Sequence, residues 1–189
     1  MLVFTDAIPV DGDLNPLSDS YWKFKKINPA TSQSLNQSLV CIPVLGCASG
    51  MNRALVKMLT PVPEAVTGHD WWALLVAAAL GKVAYISDRT MMYRLHGNNA
   101  SVPQRVTIWD YFSRMHEIAH VRHGMKRRRL QAQALLERFG DRLPPARRRV
   151  VEDFIATGSQ NFVQRRFSLL KGQYTYPDLP RNIAMFLGA

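Results

Sequence analysis

The sequence predicts an α/β fold followed by a helical C-terminal extension. Short apolar runs rich in β-branched residues alternate with helical patterns over the first hundred residues. After residue 104 the apolar positions recur every three or four residues instead. The chain has 189 residues, and 47% of them are hydrophobic, which is enough for a folded core. We therefore expect two regions, 1–103 and 104–189.

The strands and helices of the first region follow from local patterns. Strands are predicted where apolar and β-branched residues form short runs bounded by turn residues. In chain order these runs are 2–5, 39–45, 82–87 and 90–94. Helices are predicted where apolar residues take helical spacing or where proline and glycine mark an end. In chain order they are 21–27, 52–59 and 70–80. The last helix is apolar nearly all round, so we expect it to be buried.

The second region is predicted to be helical. Its first helix covers 104–140, with Gly124 as a candidate break. Pro144 and Pro145 open a second helix, because proline suits a first helical turn. A short last helix covers 181–187.

The positive charge is concentrated in this second region. The whole chain carries a net charge of +10, and residues 101–172 hold fifteen basic and six acidic side chains. Basic runs occur at 126–129, 147–149 and 165–166. Successive helical residues point about 100° apart, so such runs encircle a helix and do not line a nucleic-acid groove. A solvated face or contact with an anionic membrane surface is favoured over nucleic acid. A non-enzymatic module that binds membrane or nucleic acid through these helices stays an alternative.

Signals for secretion and membrane insertion are weak. Cys41 and Cys47 are too few for a disulfide framework. The longest apolar run, 71–80, has ten residues, whereas a membrane-spanning helix needs about 20. We therefore expect a cytoplasmic protein, with peripheral contact at the inner face of the membrane.

An acidic residue begins the buried helix. Residues 68–72 read Gly-His-Asp-Trp-Trp. Asp70 suits an N-cap, because its carboxylate accepts hydrogen bonds from free backbone N–H groups. The same position would hold a general base rigidly at the edge of a pocket. Trp71 and Trp72 are compatible with a core role or with stacking on a sugar ring.

A polar turn follows the last predicted strand. Residues 93–99 read Tyr-Arg-Leu-His-Gly-Asn-Asn. Loops after strands often carry binding groups, so Arg94 is a candidate phosphate ligand and His96 a candidate metal ligand. An ordinary exposed turn is the simpler interpretation.

Two further motifs match metal-binding patterns. His116, Glu117 and His120 form H-E-x-x-H, the spacing of zinc hydrolases on a helix, although arginines flank the motif. Asp11 and Asp13 form D-x-D, but in a segment rich in glycine and proline a turn is the better interpretation.

The order of several of these segments resembles the C-terminal part of glycosyltransferase family 2 enzymes, particularly rhamnosyltransferase-like members. The most specific segments are 68–72 and 93–99 at their observed separation. The segments that carry the resemblance are 3–7, 11–14, 45–53, 68–72, 81–86, 93–99, 166–170 and 179–183.

This resemblance implies a partial GT-A, Rossmann-like sheet and transfer of a sugar from a nucleotide-sugar donor to a hydroxyl of a glycan or lipid-linked acceptor, with inversion. Asp70 would be the catalytic base, and His96 would approach the diphosphate or its Mg or Mn ion. The implied substrate-binding residues are Gly46, Cys47, His69, Trp71, Trp72, Arg94 and Asn99.

The family's nucleotide-binding half has no counterpart among the matched segments, and Asp11 and Asp13 do not correspond to its metal-binding pair. The resemblance therefore implies a truncated enzyme that is inactive without its donor half.

Overall fold

A computed structural model describes residues 1–96 and 118–188. Within these residues the chain combines a small three-stranded sheet with helices, as the predicted α/β class requires. The strands are β1 (Leu2–Val10), β2 (Ser49–Met51) and β3 (Val83–Arg94). The α-helices are α1 (Tyr21–Phe24), α2 (Leu35–Ser38), α3 (Arg53–Leu59), α4 (His69–Leu80), α5 (Ile118–Phe139), α6 (Pro145–Ala156), α7 (Phe162–Lys171) and α8 (Leu179–Gly188). Short 3₁₀ turns occupy Pro29–Gln33, Gly46–Ala48 and Gly140–Arg142.

The sheet has the order β2-β1-β3, so β1 is its central strand. β2 pairs with β1 in antiparallel orientation, whereas β3 runs parallel to β1. The β1–β3 register shifts on both sides of Asp6. Pairing continues through these irregularities, and the two strands predicted at 82–87 and 90–94 are therefore one strand.

The first strand is longer than its sequence pattern indicated. The prediction ended this strand at residue 5, but pairing with β3 extends to Val10. Four apolar side chains of β1 are buried: Leu2, Phe4, Ala7 and Val10. Polar Asp6 and Pro9 interrupted the apolar signal although both lie within the strand.

The predicted strand at 39–45 is wrong. The N–H groups of Leu39, Val40 and Cys41 bond back to carbonyls of Leu35 and Gln37, at 2.9–3.0 Å, and so extend the turn of α2. The run is apolar because it is buried in the core, and no strand within residues 1–96 and 118–188 pairs with it. An apolar run of this length reports burial more reliably than β-structure.

Helix α4 confirms the predicted buried helix. Seven of its twelve residues are buried, and Gly81 follows its end as its C-cap. A single apolar cluster contains Phe4 and Trp72 of the first predicted region together with Leu135 and Phe154 of the second. The sheet and the C-terminal helices therefore share one core.

The C-terminal helices differ from the prediction in two places. α5 passes through Gly124 without a break. The pattern after Pro145 divides into α6 and α7, because the side chain of Asn161 accepts a hydrogen bond from the N–H of Gln164 and starts a new helix. No helix in the described part of the chain is long and apolar enough to cross a membrane.

Several arginines of the second region bind backbone carbonyls. Arg147 of α6 donates to the carbonyl of Ala79 at 2.9 Å, near the C-terminus of α4. Arg165 donates to the carbonyls of Thr157 and Gln160 at 2.9 and 2.7 Å. Arg138 of α5 donates to the carbonyls of Thr60 and Pro61. Part of the charge predicted to be solvated therefore joins helices to one another and to the first region.

Candidate functional site

Asp70 is the second residue of α4 and not its N-cap. Gly68 is the N-cap and, having no side chain, provides no side-chain cap. The Asp70 Oδ1 atom accepts a hydrogen bond from the Trp71 N–H at 2.8 Å. A carboxylate at this position is stabilised by the partial positive charge of a helix N-terminus. The predicted N-cap role is therefore wrong, and Asp70 interacts with the helix start from within the first turn instead.

Gly68 also leaves room for the Asp70 carboxylate. Its backbone is extended, with φ −165°, a conformation open to any residue. A Cβ atom at this position would lie 2.8 Å from Asp70 Oδ1, which is closer than van der Waals contact allows. A larger residue would therefore displace the carboxylate.

The turn at Gly46–Ala48 lies directly against the start of α4. A Cβ atom built on Gly46 would lie 3.0 Å from His69 Nε2 and 3.7 Å from Asp70 Oδ2. The Ser49 hydroxyl donates to the Gly46 carbonyl at 2.9 Å and closes this turn. The predicted site residue Gly46 thereby lies next to two others, His69 and Asp70, which follow it by more than twenty positions in the sequence.

Cys47 is exposed and lies near Tyr21. The rings of Tyr21 and Tyr93 meet edge to face, with centroids 5.3 Å apart. Burial, together with smaller contributions from the nearby Tyr93 and Cys47, raises the pKa of Tyr21 to about 12. These tyrosines were not predicted as site residues. The only available signal was that Tyr93 begins the segment 93–99.

The two tryptophans have different environments. Trp71 is half-buried, and its indole N–H donates to the Ser38 carbonyl at 2.7 Å. Trp72 is fully buried, donates to the Leu59 carbonyl at 3.3 Å and stacks on Phe139. Trp72 is therefore a core residue, whereas the resemblance implied a substrate-binding role for it.

Arg128 of α5 lies beside Trp71. Its guanidinium carbon is 5.5 Å from the centre of the Trp71 ring and 5.6 Å from that of Tyr176. Such positions over aromatic faces are favourable for a cation. Its Nε atom is buried without a hydrogen-bond acceptor in the described residues, and Nη1 lies 3.4 Å from the Met125 sulfur. The basic region therefore places a cation next to the start of α4, which the sequence pattern did not predict.

Arg94 ends β3, and His96 follows it on the exposed surface. The N–H of Leu95 donates to the Val10 carbonyl at 2.8 Å and fixes this segment at the end of β1. Asn99 lies outside the described residues, as do His116 and Glu117 of the H-E-x-x-H motif.

Asp11 belongs to a turn. Its Oδ1 accepts the N–H groups of Asp13 and Asn15 at 2.9 and 2.8 Å, and its Oδ2 accepts the Asn15 side-chain amide at 3.2 Å. The hydrogen bonds from Asn15 are the main reason that the pKa of Asp11 is lowered. Both oxygens are occupied within the turn, which supports the turn interpretation of the D-x-D sequence. Over residues 1–96 and 118–188, no group of three or more His, Cys, Asp or Glu side chains is placed to hold a metal ion.

An open cavity of about 360 Å³ lies elsewhere, between α1 and β3. At its base, buried Asp6 accepts hydrogen bonds from the Ser20 hydroxyl and the Trp22 N–H, which hold the start of α1 against β1. Lys26 and Arg89 also line this cavity, whereas none of the predicted site residues does.

Comparison with known proteins identifies no relative of this chain. No family model, curated protein or solved structure matches it. The candidate site consequently rests on its own geometry, in which a glycine turn packs against a His-Asp pair at the start of a buried helix.

Proposed function

We propose that this chain carries the acceptor side of an inverting glycosyltransferase with a Rossmann-like GT-A domain, and that Asp70 is its general base. The observation that carries the proposal is the close approach of Gly46 to His69 and Asp70. The segments 45–53 and 68–72 both belong to the resemblance, and they meet at the carboxylate that the resemblance implies is catalytic.

The proposed chemistry needs one carboxylate at a fixed position. Asp70 would take the proton of an acceptor hydroxyl while the hydroxyl oxygen attacks the anomeric carbon of the donor sugar. The new C–O bond would form as the bond to the nucleoside diphosphate breaks on the opposite face. The Trp71 N–H holds one carboxylate oxygen at 2.8 Å, and the other lies on the side of Gly46. That arrangement favours a base with little freedom to rotate.

The neighbouring residues would complete the two substrate sites. Cys47, His69 and Trp71 are proposed to contact the acceptor glycan. Arg94 and His96, which end and follow β3, are proposed to face the diphosphate of the donor. A divalent ion such as Mg²⁺ or Mn²⁺ would supply further charge neutralisation there in the complete reaction, and His96 is the residue of this chain proposed to approach it.

Asp70→Asn tests the proposal, because the amide keeps the size of the side chain and cannot accept the proton. Sugar transfer would be measured with this chain combined with the nucleotide-binding half of a family 2 enzyme, over a panel of nucleotide sugars. We expect Asp70→Asn to lower the rate by at least about 10²-fold. Asp141→Asn is the matched control, because that carboxylate is fully exposed and far along the chain. Near-normal transfer by Asp70→Asn would remove Asp70 from the role of base.

A further inference from the structure

The last two helices expose several large apolar side chains. Seven large apolar side chains on α7 and α8 are between 49% and 73% exposed. We call this set the α7–α8 surface; its members are Phe162, Val163, Phe167, Leu170, Leu179, Ile183 and Leu187. Single exposed apolar residues are normal, but a grouped set of this size marks an interaction site.

Helical spacing aligns these residues into one stripe on each helix. Val163, Phe167 and Leu170 are separated by four and three positions on α7, and the three residues of α8 are separated by four positions each. Arg166 of α7 links the two helices. It donates to the Phe162 carbonyl of its own helix at 2.7 Å and to the Leu187 carbonyl of α8 at 3.4 Å.

The opposite faces of the two helices are fixed in the protein core. Leu169 of α7 and Met185 of α8 are at most 1% exposed and belong to the shared apolar cluster. The exposed stripes are therefore held outward by packing, and the interior of the protein does not use them.

The charges on the same helices have one sign. α7 and α8 contain four basic residues, Arg165, Arg166, Lys171 and Arg181, and no acidic residue. Asp178, just before α8, pairs with Arg181. An apolar stripe bordered by cations suits the boundary between lipid headgroups and acyl chains when the headgroups are anionic.

We propose that the α7–α8 surface docks this protein on an anionic lipid bilayer. The sequence pattern pointed to the basic runs of the second region as the contact. The exposed apolar side chains lie on α7 and α8, so the contact is assigned to these two helices.

A second copy of the chain could cover the α7–α8 surface instead of a bilayer, but the basic residues on the two copies would repel each other. A two-fold dimer would bring the same patch of both copies together. The cations bordering each stripe would then face one another with no acidic residue on either helix to offset them. A lipid surface supplies the missing negative charge.

Co-sedimentation with vesicles tests the proposal. The purified chain would be mixed with phosphatidylcholine vesicles and with vesicles that also contain phosphatidylglycerol. We expect binding to the anionic vesicles only, and we expect Phe167→Glu combined with Ile183→Glu to weaken it at least about tenfold. Val56→Glu combined with Leu130→Glu is the charge-matched control, because both side chains are exposed outside the surface. Equal binding by the two double variants would overturn the proposal.

Two further measurements keep the test decisive. Sedimentation velocity tests whether a second copy of the chain covers the surface instead. The surface would be assigned to a second copy if the chain forms a dimer that only Phe167→Glu with Ile183→Glu dissociates. In that case the same double variant would leave vesicle binding unchanged. Phe167→Trp avoids the introduction of charge and provides a direct probe. Quenching of its fluorescence by brominated lipid, beyond that of the wild type, is the expected result, and the absence of extra quenching would reject docking through this surface.

Discussion

Gly46 and His69 are so close that a single methyl group on Gly46 would lie 3.0 Å from the imidazole Nε2 atom. A larger residue at this position would require the imidazole to shift by a few tenths of an ångström. Gly50, four residues later on β2, has no atom within 4 Å of the corresponding point. The two glycines form a natural pair for mutation.

Gly46→Ala is expected to displace the His69 imidazole and to impair acceptor use. The added methyl should cost about 1–3 kcal/mol of stability if the neighbours yield poorly. Sugar transfer at limiting acceptor concentration should fall more than that of Gly50→Ala, which is expected to behave like the wild type. Equal transfer rates for the two variants would show that the approach of the turn to α4 has no role in catalysis.

A second glycine pair tests packing among the C-terminal helices. A Cβ atom on Gly172 would overlap the ring of Tyr174, a buried residue whose hydroxyl donates to the Val150 carbonyl at 2.6 Å. Gly172→Ala should therefore lower the unfolding free energy by about 1–3 kcal/mol or more. Gly124→Ala meets only the Arg128 Nη1 atom at 3.7 Å and should stabilise α5 by about 0.5–1 kcal/mol. Thermal unfolding followed by circular dichroism should show melting temperatures that move in opposite directions.

The contact between Arg147 and Ala79 is expected to contribute to stability. A guanidinium that binds a carbonyl in the last turn of a helix combines a hydrogen bond with a favourable dipole interaction. Arg147→Met keeps much of the aliphatic side chain and should cost about 1–2 kcal/mol. Arg149→Met on the same helix is the control, because Arg149 is exposed and has no hydrogen-bond partner in the described part of the chain. Equal urea midpoints for the two variants would contradict the assigned contribution.

Ionisation of Tyr21 should destabilise the protein at high pH. Burial raises its folded-state pKa to about 12, above the ordinary value of 10.0, so the native state keeps the proton more tightly than the unfolded state. Its contribution is therefore fully present below pH 10 and is lost as the pH rises towards 12. Urea unfolding from pH 9 upwards gives the unfolding free energies of the wild type and of Tyr21→Phe. We expect the wild-type value to fall relative to that of Tyr21→Phe as the pH rises over this range. A difference that is independent of pH would contradict the pKa shift.

The best sequence predictions concerned elements with a local signal at their ends. The helix predicted at 52–59 is α3, which begins after Asn52 because the Asn52 side chain accepts the Leu55 N–H at 3.1 Å. The helix predicted at 70–80 is α4, which ends before Gly81. The predicted strand at 39–45 failed because its apolar character records burial. The predicted break at Gly124 is absent because glycine costs a helix only about 1 kcal/mol relative to alanine. The stabilisation that a long helix gains from tertiary packing is larger.

The candidate site was partly predictable for a similar reason. Short motifs indicated Gly46, His69 and Asp70, which do lie together. They could not distinguish Trp71 from Trp72, because adjacent helical residues point about 100° apart and only tertiary packing decides which one faces the core. Arg128 had no local signal at all, since it reaches Trp71 from a helix more than fifty residues later.

The apolar cluster shared by the two regions has a consequence for how the protein unfolds. Trp72 stacks on Phe139, so a break between 1–103 and 104–189 would expose a large aromatic surface on each piece. The two regions are therefore expected to melt in one cooperative transition, with neither persisting as an independent folding unit. The helices that follow residue 117 stabilise the same core that supports the Asp70 helix, and a lesion in either region should lower the stability of both.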